Sequence, residues 1–563
     1  MCQADIVASS SMSSDATTLP LPGASPTDSA IGRGGWFARG RARELADAES
    51  GVLTGALALA AIVALSLFVV LLTANRPSLL SPTSHIGYFP RWMAGPFGGL
   101  LSGFTNNSTT LKILFTGSLA LMYLAYVLVL GRARRLPARW IVAAIVSVHV
   151  IYLLSPPMAL TDVFNYINYG RMEVVHNLNP YTTIPVLEPH NDPAFLLSNW
   201  HQLLSPYGPL FTLLTFAVVP LGVAGSFWAL KGVLALASLA TILLVWKCAR
   251  LLDRDPLVAV TLVGLNPIVL VWGLGGEHND FLMLLFIVLS FYLLLRASKG
   301  VAHRLRAAPS SEDGQDIGVD GWVGERGWGG GFSLARLREW LLPLSPLQMG
   351  SGAALVTATA LKASGGILIP VVLAGLLRVP RALTQVILGM LLAAVVLGVA
   401  SLMAFGLHIP DLSTQGSLVT AESIPNLIGL AAGAGGETSG LREALSVVLV
   451  LLVFACCWQA WSRRTPDAAR AGGVQRAITA SGWASVALLA TLSWVLPWYV
   501  LWVLPLAALS SSRRLRTTAL VFGVYLIVVW APGSSSLWNA LHFYPQKTEL
   551  GRLHQRLVKE LLN

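Results

Sequence analysis

The feature that most constrains this chain is a succession of apolar runs, each near the length of a bilayer crossing, punctuated by short clusters of arginine and lysine. A helix needs about 20 apolar residues to span the hydrocarbon core. Runs of this kind lie at 52–74, 111–131, 138–157, 226–248, 256–273, 279–297, 383–405, 441–461, 479–495, 498–511 and 517–532. Two further stretches are irregular: 209–224 is short and broken by proline, and 350–377 is interrupted by Lys362-Ala363-Ser364-Gly365-Gly366. The expectation is an all-α, polytopic integral membrane protein with about 11 to 14 membrane-embedded helices. Charged residues make up 12% of the chain, about half the share in soluble proteins. The formal charge of +11 rests on residues that flank the apolar runs. That placement is a topology signal rather than a phosphate-binding face, so nucleic acid is not an expected partner. Cys2, Cys248, Cys456 and Cys457 imply neither a disulfide framework nor a zinc site.

Basic clusters set the expected sides. Arg33, Arg39, Arg41 and Arg43 precede the first run and place the amino terminus in the cytoplasm. "GRARRLPAR" (131–139), "KCARLLDR" (247–254), "RASKGVAHRLR" (296–306) and "SSRRLR" (511–516) are also cytoplasmic by this rule. Three unusual motifs then share the outer face: the loop from Thr161, the turn "GGEHND" (275–280) and "VLPWYV" (495–500). The rule holds only if 209–224 is a re-entrant or shallow helix and 350–377 forms two short limbs with Lys362 at their turn. Such irregular backbone is tolerated where it lines a protein-walled cavity. The expected organisation is a disordered cytoplasmic tail (1–50) and an amino-terminal transmembrane module (51–297) with an outer loop at 158–207. A flexible cytoplasmic loop (298–345), a second transmembrane module (346–532) and a carboxy-terminal tail (533–563) with a short amphipathic helix follow.

Carboxylates are scarce, with 27 acids in the whole chain, so their positions carry information. Asp162 opens "DVFNYINYGRMEVV", where it can cap a helix or serve as an ionised base at a helix start. Tyr166, Tyr169 and Glu173 follow at helical spacing on its face, and Arg171 lies on the same helix. The tyrosines fit an interfacial helix bordering a cavity open to lipid. Glu277, His278, Asn279 and Asp280 put two carboxylates, an imidazole and an amide beside a span, a default functional candidate. Their spacing is not diagnostic of a metal site. Lys362, between short apolar limbs and followed by Ser-Gly-Gly, suits an anionic phosphate; the alternative is a lysine that snorkels to the interface. Tyr207, Trp498 and Tyr499 add rings that anchor at an interface or stack on sugar faces. These ingredients suit group transfer from a lipid-linked phosphate donor to an acceptor hydroxyl activated by a general base. A secondary transporter or lipid flippase is the alternative from another class, though it predicts an internal repeat that the sequence lacks.

The motifs "TDVFNYINYGRM" with "NLNPYTTIP" (161–185), "SPYGPL" (205–210), "GLGGEHNDFLM" (273–283), "LKASGGILIP" (361–370) and "LPWYVLWVLP" (496–505) carry a family resemblance. Over roughly residues 50–530 the chain resembles polyprenyl-phosphate-sugar-dependent glycosyltransferases of the GT-C superfamily. More narrowly, it resembles the actinobacterial alpha-1,6-mannopyranosyltransferases of lipomannan and lipoarabinomannan synthesis. The resemblance implies that Asp162 deprotonates an acceptor mannose hydroxyl, that Lys362 meets the donor phosphate, and that the Glu277–Asp280 turn lines the site. It implies polyprenyl-phosphomannose as donor, inversion to an alpha-mannoside, and an active site on the outer face of the plasma membrane. The partners implied are the lipid-linked donor, a mannan or glycolipid acceptor, and membrane lipids. No cofactor is expected, and metal independence is the expectation. A donor carrying another sugar, such as arabinose, is the alternative within the class. The chain departs from the family in its longer amino-terminal tail and 298–345 loop, and in having Thr-Asp where many relatives have paired acids.

Overall fold

The computed structural model describes residues 31–75, 90–158 apart from 102, 105 and 106, 162–307, 343–462, 472–540 and scattered positions beyond. The chain divides into an amino-terminal unit, Met1–Val52, and a large unit, Leu53–Asn563, which holds the site. All regular structure among the described residues is helical. In chain order the helices are α1 (Ile31–Asn75), α2 (Ser108–Arg132), α3 (Ala138–Leu153), α4 (Asp162–His176), α5 (Pro193–Leu197), α6 (Pro209–Val218) and α7 (Gly222–Leu251). Next come α8 (Pro256–Gly264), α9 (Asp280–Ala307), α10 (Pro346–Leu361), α11 (Leu368–Leu376), α12 (Pro380–Phe405) and α13 (Ser413–Ser417). The last are α14 (Ile424–Ala431), α15 (Ser439–Ser462), α16 (Gly472–Thr491), α17 (Leu504–Leu509), α18 (Arg513–Trp530) and α19 (Ser534–Ala540).

Six helical stretches among the described residues are long and apolar enough to cross a membrane: Ser50–Ala74, Ser108–Arg135, Pro209–Leu251, Asp280–Lys299, Pro380–Phe405 and Ser439–Ser462. Their ends follow capping chemistry. Asn107 accepts from the Thr109 and Thr110 amides to start α2, and Asp255 accepts from Leu257 and Val258, with Pro256 as the first residue of α8. α12 and α15 expose most of their apolar side chains, as lipid-facing helices do.

Several expected spans divide where the sequence offers an internal breaker. The run 256–273 ends as an α-helix at Gly264; Asn266 then caps a π-turn at Val269–Leu274, its side-chain oxygen accepting from the Ile268 and Val269 amides. The run 498–511 splits into a 3-10 segment, Pro497–Trp502, and the short α17. α3 stops at Leu153, ahead of Pro156 and Pro157. Between α6 and α7 the chain turns through Val219–Leu221 and Gly222, whose φ of +70° is a left-handed conformation suited to glycine. The ten residues of α6 rise only about 15 Å, half the hydrocarbon thickness of about 30 Å.

Two tail and loop expectations need correction. Helix α1 begins at Ile31, inside the stretch expected to be a disordered tail, because "ARGRARELADAE" is rich in strong helix formers. Helix α9 likewise continues to Ala307, ten residues into the expected loop. Residues 1–30 and 308–342 lie outside the described residues, as does most of the chain after Ala540.

Two close approaches assemble the site. Between α10 and α11 the backbone opens at Lys362 (φ −154°, ψ 122°) and continues as a 3-10 turn, Ala363–Ile367. The Gly208 amide donates to the Leu361 carbonyl at 3.3 Å, and a Cβ at Gly208 would lie 2.1 Å from the Ala360 carbonyl oxygen. Only glycine lets the "SPYGPL" segment reach the backbone ahead of Lys362 this closely. The second approach joins Met158, whose amide donates to the Gly275 carbonyl at 2.6 Å.

Candidate active site

Asp162 is the first residue of α4, in its first turn. Its Oδ2 lies 3.3 Å from Nδ1 of His278, which sits on the turn ahead of α9. That separation is within charge reach without the geometry of a hydrogen bond, and neither ring nitrogen of His278 has a hydrogen-bond partner. The imidazole stacks flat on Trp498, ring centroids 3.4 Å apart with an 11° interplanar angle. Burial pushes its pKa below the ordinary value against the pull of Asp162, so the ring stays neutral.

A second cluster lies on the same turn. Lys362 Nζ donates to Asp280 Oδ2 at 2.7 Å and approaches Asn279 Oδ1 at 3.5 Å. The other Asp280 oxygen accepts from the Trp502 indole at 2.5 Å. Lys362 also lies over the Tyr499 and Trp502 rings, 5.3 and 5.7 Å from their centroids, and these rings stack on each other. The lysine is therefore neither a free cation nor a snorkelling one. Its side chain is 20% exposed while that of Asp280 is fully buried, so the ammonium keeps an open side.

That side faces a cavity of about 390 Å³, lined by Asp162, Tyr207, Lys362, Trp498, Tyr499 and Trp502. One wall is apolar, with Ile367, Leu488 and Leu492. Four motifs from distant parts of the sequence thus meet at one cavity. The carboxylate can accept a proton there, the ammonium can hold an anion, and the rings can pack on flat apolar faces.

The remaining sequence candidates stand around this centre in other roles. Tyr166 packs edge-on against Tyr207, centroids 4.7 Å apart, and its hydroxyl accepts from the Asn279 amide at 3.4 Å. Tyr169 donates to the Leu203 carbonyl at 2.6 Å, tying α4 to the outer loop. Burial, reinforced by the Asp162 charge, pushes both phenols well above their ordinary value and keeps them neutral. Arg171 is not at the cavity: it chelates Asp192 at 2.8 Å, alongside His176 at 2.9 Å. This pairing, with Asn168 donating to Glu188 at 2.6 Å, fastens the outer loop onto α4. Glu277 turns away from the cavity to Lys231, Oε1 to Nζ 2.6 Å. Among the described residues, no group of three or more His, Cys, Asp or Glu could hold a metal ion.

Sequence reasoning overlooked Lys231, Trp200 and Trp494. Lys231 had a legible signal, a lone cation inside the apolar "FWALKGVLALAS". Trp200 and Trp494 line the cavity with centroids 6.4 Å apart, but nothing in the sequence brings residues nearly three hundred positions apart together.

Comparison with known proteins gives the family. The model of the family "Alpha-(1->6)-mannopyranosyltransferase, N-terminal domain" matches residues 53–378, and "MptB C-terminal domain" matches residues 420–547. Alpha-(1->6)-mannopyranosyltransferase A of Mycobacterium tuberculosis is 26% identical over 407 residues, 70% of this chain and 70% of that protein. A second alpha-(1->6)-mannopyranosyltransferase of the same organism is 26% identical over 419 residues, covering 68% of this chain and 67% of its own length. A probable alpha-(1->6)-mannopyranosyltransferase of Mycolicibacterium smegmatis is 28% identical over 228 residues, 38% of this chain and 41% of that protein. No solved structure matches the chain. With its Asp162 and Lys362 motifs inside the matched region, the chain belongs to the alpha-(1->6)-mannopyranosyltransferase family and is an all-α, polytopic membrane glycosyltransferase.

Proposed function

We propose that this enzyme transfers mannose from polyprenyl-phosphomannose to a mannan or glycolipid acceptor, forming an alpha-1,6 linkage in lipomannan-type glycan synthesis. The observation that carries the reading is that a carboxylate and a cation, Asp162 and Lys362, line one cavity with an apolar wall. A donor with a phosphate between a sugar and a polyprenyl chain matches that combination of groups. Asp162 takes the proton from the acceptor 6-hydroxyl as its oxygen attacks the anomeric carbon. The bond from that carbon to the phosphate oxygen breaks, and its electron pair leaves on polyprenyl phosphate beside Lys362. The single displacement inverts a beta-linked donor to an alpha-mannoside through an oxocarbenium-like transition state. Neutral His278 contributes no competing positive charge beside the base.

The basic clusters favour a cytoplasmic amino terminus and a cavity on the extracytoplasmic face of the plasma membrane. The test is transfer by membranes containing this protein, supplied with radiolabelled polyprenyl-phosphomannose and an alpha-mannoside acceptor. An alkali-stable alpha-1,6 product is expected. Transfer from polyprenyl-phosphoarabinose with none from the mannose donor would reject the assignment.

A further inference from the structure

The ion pair of Lys231 and Glu277 lies outside the cavity, and the chemistry above does not use it. Both side chains are sealed from solvent, 1% and 0% exposed. An ammonium in the apolar interior of α7 is costly unless each of its protons is engaged. Here Nζ donates to Glu277 Oε1 at 2.6 Å, to the Ser155 carbonyl at 2.6 Å and to Ser155 Oγ at 3.2 Å.

The two segments held are the ones that precede Asp162 and carry His278. Ser155 begins the stretch that leads through Met158 to Asp162, and Met158 is itself bonded to Gly275 at 2.6 Å. Glu277 immediately precedes His278 and adopts φ +54°, a left-handed conformation that a non-glycine residue holds only when its surroundings enforce it. A Cβ at Gly275 would lie 2.4 Å from the Val271 carbonyl oxygen, so the turn is compact ahead of the acid. Because the His278 ring makes no hydrogen bond, its place beside Asp162 depends on the backbone of this turn, where the His278 amide donates to the Gly273 carbonyl at 3.4 Å, and on Trp498.

We propose that Lys231 is a positioning residue for catalysis: its ammonium ties Ser155, in the segment 155–158 that precedes Asp162 in the chain, to the turn carrying His278, and so sets the approach of imidazole to carboxylate. The inference rests on the reading of Asp162 as the base. Removing the tie should loosen that approach by a fraction of an ångström to an ångström, a misplacement that costs up to about 10²-fold in rate. The loss should fall on kcat, because Lys362 keeps its own ion pair with Asp280 and lies over the stacked Tyr499 and Trp502 rings.

The test compares three purified variants with wild type for melting temperature, kcat and donor KM. Lys231→Met with Glu277→Gln removes both buried charges together. Lys231→Glu with Glu277→Lys keeps the ion pair but withdraws the ammonium from Ser155. Asp162→Asn probes the base itself. The expected result is kcat lower by about 10- to 100-fold in whichever paired variant stays folded, with donor KM within about twofold of wild type. Wild-type kcat in a folded paired variant, with Asp162→Asn inactive, would overturn the role of Lys231 alone. An equal loss in kcat and donor affinity would also overturn it, pointing to a general structural role. Turnover by Asp162→Asn would overturn the reading of the base, and this inference with it.

Discussion

Lys362 is expected to bind the donor phosphate while sharing its charge with Asp280, and that sharing orders a set of variants. Lys362→Met alone removes one member of a buried pair and leaves the Asp280 carboxylate, fully buried, with only the Trp502 indole. Breaking a buried pair in this way costs about 3–5 kcal/mol of stability, so the single variant confounds folding with binding. Lys362→Met with Asp280→Asn avoids the stranded charge, and the amide oxygen can still accept from Trp502. What it loses is one charge-assisted hydrogen bond to phosphate, worth about 1.5–3 kcal/mol. Asp280 already draws on the ammonium at 2.7 Å, so the low end applies, a rise in donor KM of about 10-fold. Asp280→Asn alone frees the ammonium and should leave donor KM equal or lower. Steady-state transfer at varied donor and saturating acceptor, on detergent-solubilised protein of verified melting temperature, gives the three values. An unchanged donor KM in the double variant, or a raised one in Asp280→Asn with Lys362 intact, would refute a phosphate-binding lysine.

Two further outcomes follow from the packing and from a buried acid. Gly208→Ala would drive a methyl group to 2.1 Å from the Ala360 carbonyl oxygen, against backbone that has no side-chain freedom to yield; it should cost about 1–3 kcal/mol, read as a lowered melting temperature, and widen the cavity at Tyr207. Glu188, within the outer loop, is buried, and burial pushes its pKa from 4.5 up to about 8 while the Asn168 hydrogen bond opposes the shift. Between those values the folded carboxyl holds a proton that the unfolded one has released, so its contribution to stability declines as pH rises through that window and is constant above it. Melting temperatures across pH 5 to 9 should therefore fall less steeply in Glu188→Gln than in wild type, and equal slopes would remove Glu188 as the cause.

The parts of the site that were legible from sequence were residues whose chemistry is out of place in an apolar chain. Asp162, the Glu277–Asp280 turn and Lys362 stand out because charge is expensive near a bilayer, and the structure brings them to one cavity or its immediate support. Their individual roles were less legible. Arg171 shares a helix with Asp162 yet pairs with Asp192, and Glu277 sits beside His278 yet turns to Lys231. Neighbours in sequence diverge because a helix or tight turn sends adjacent side chains to different faces. Span continuity was over-read at 256–273 and 498–511, since hydropathy averages over an Asn-Pro cap or a proline-started turn that ends a helix locally. The walls supplied by Trp200 and Trp494 depend on where the outer loop settles, through the Asn165 and Asn199 hydrogen bonds, and no local pattern encodes that.

The central claim is that Asp162 removes the acceptor proton. Asp162→Asn changes one oxygen to an amide nitrogen and leaves α4, His278 and the cavity in place. Single-turnover transfer from pre-bound radiolabelled polyprenyl-phosphomannose to an alpha-mannoside acceptor isolates the chemical step from donor binding. General-base catalysis accounts for about 10²- to 10⁴-fold in rate, so the variant should bind donor as wild type does and transfer mannose at least about 100-fold more slowly. Transfer at a near-wild-type rate by a folded, donor-binding Asp162→Asn enzyme would contradict the account.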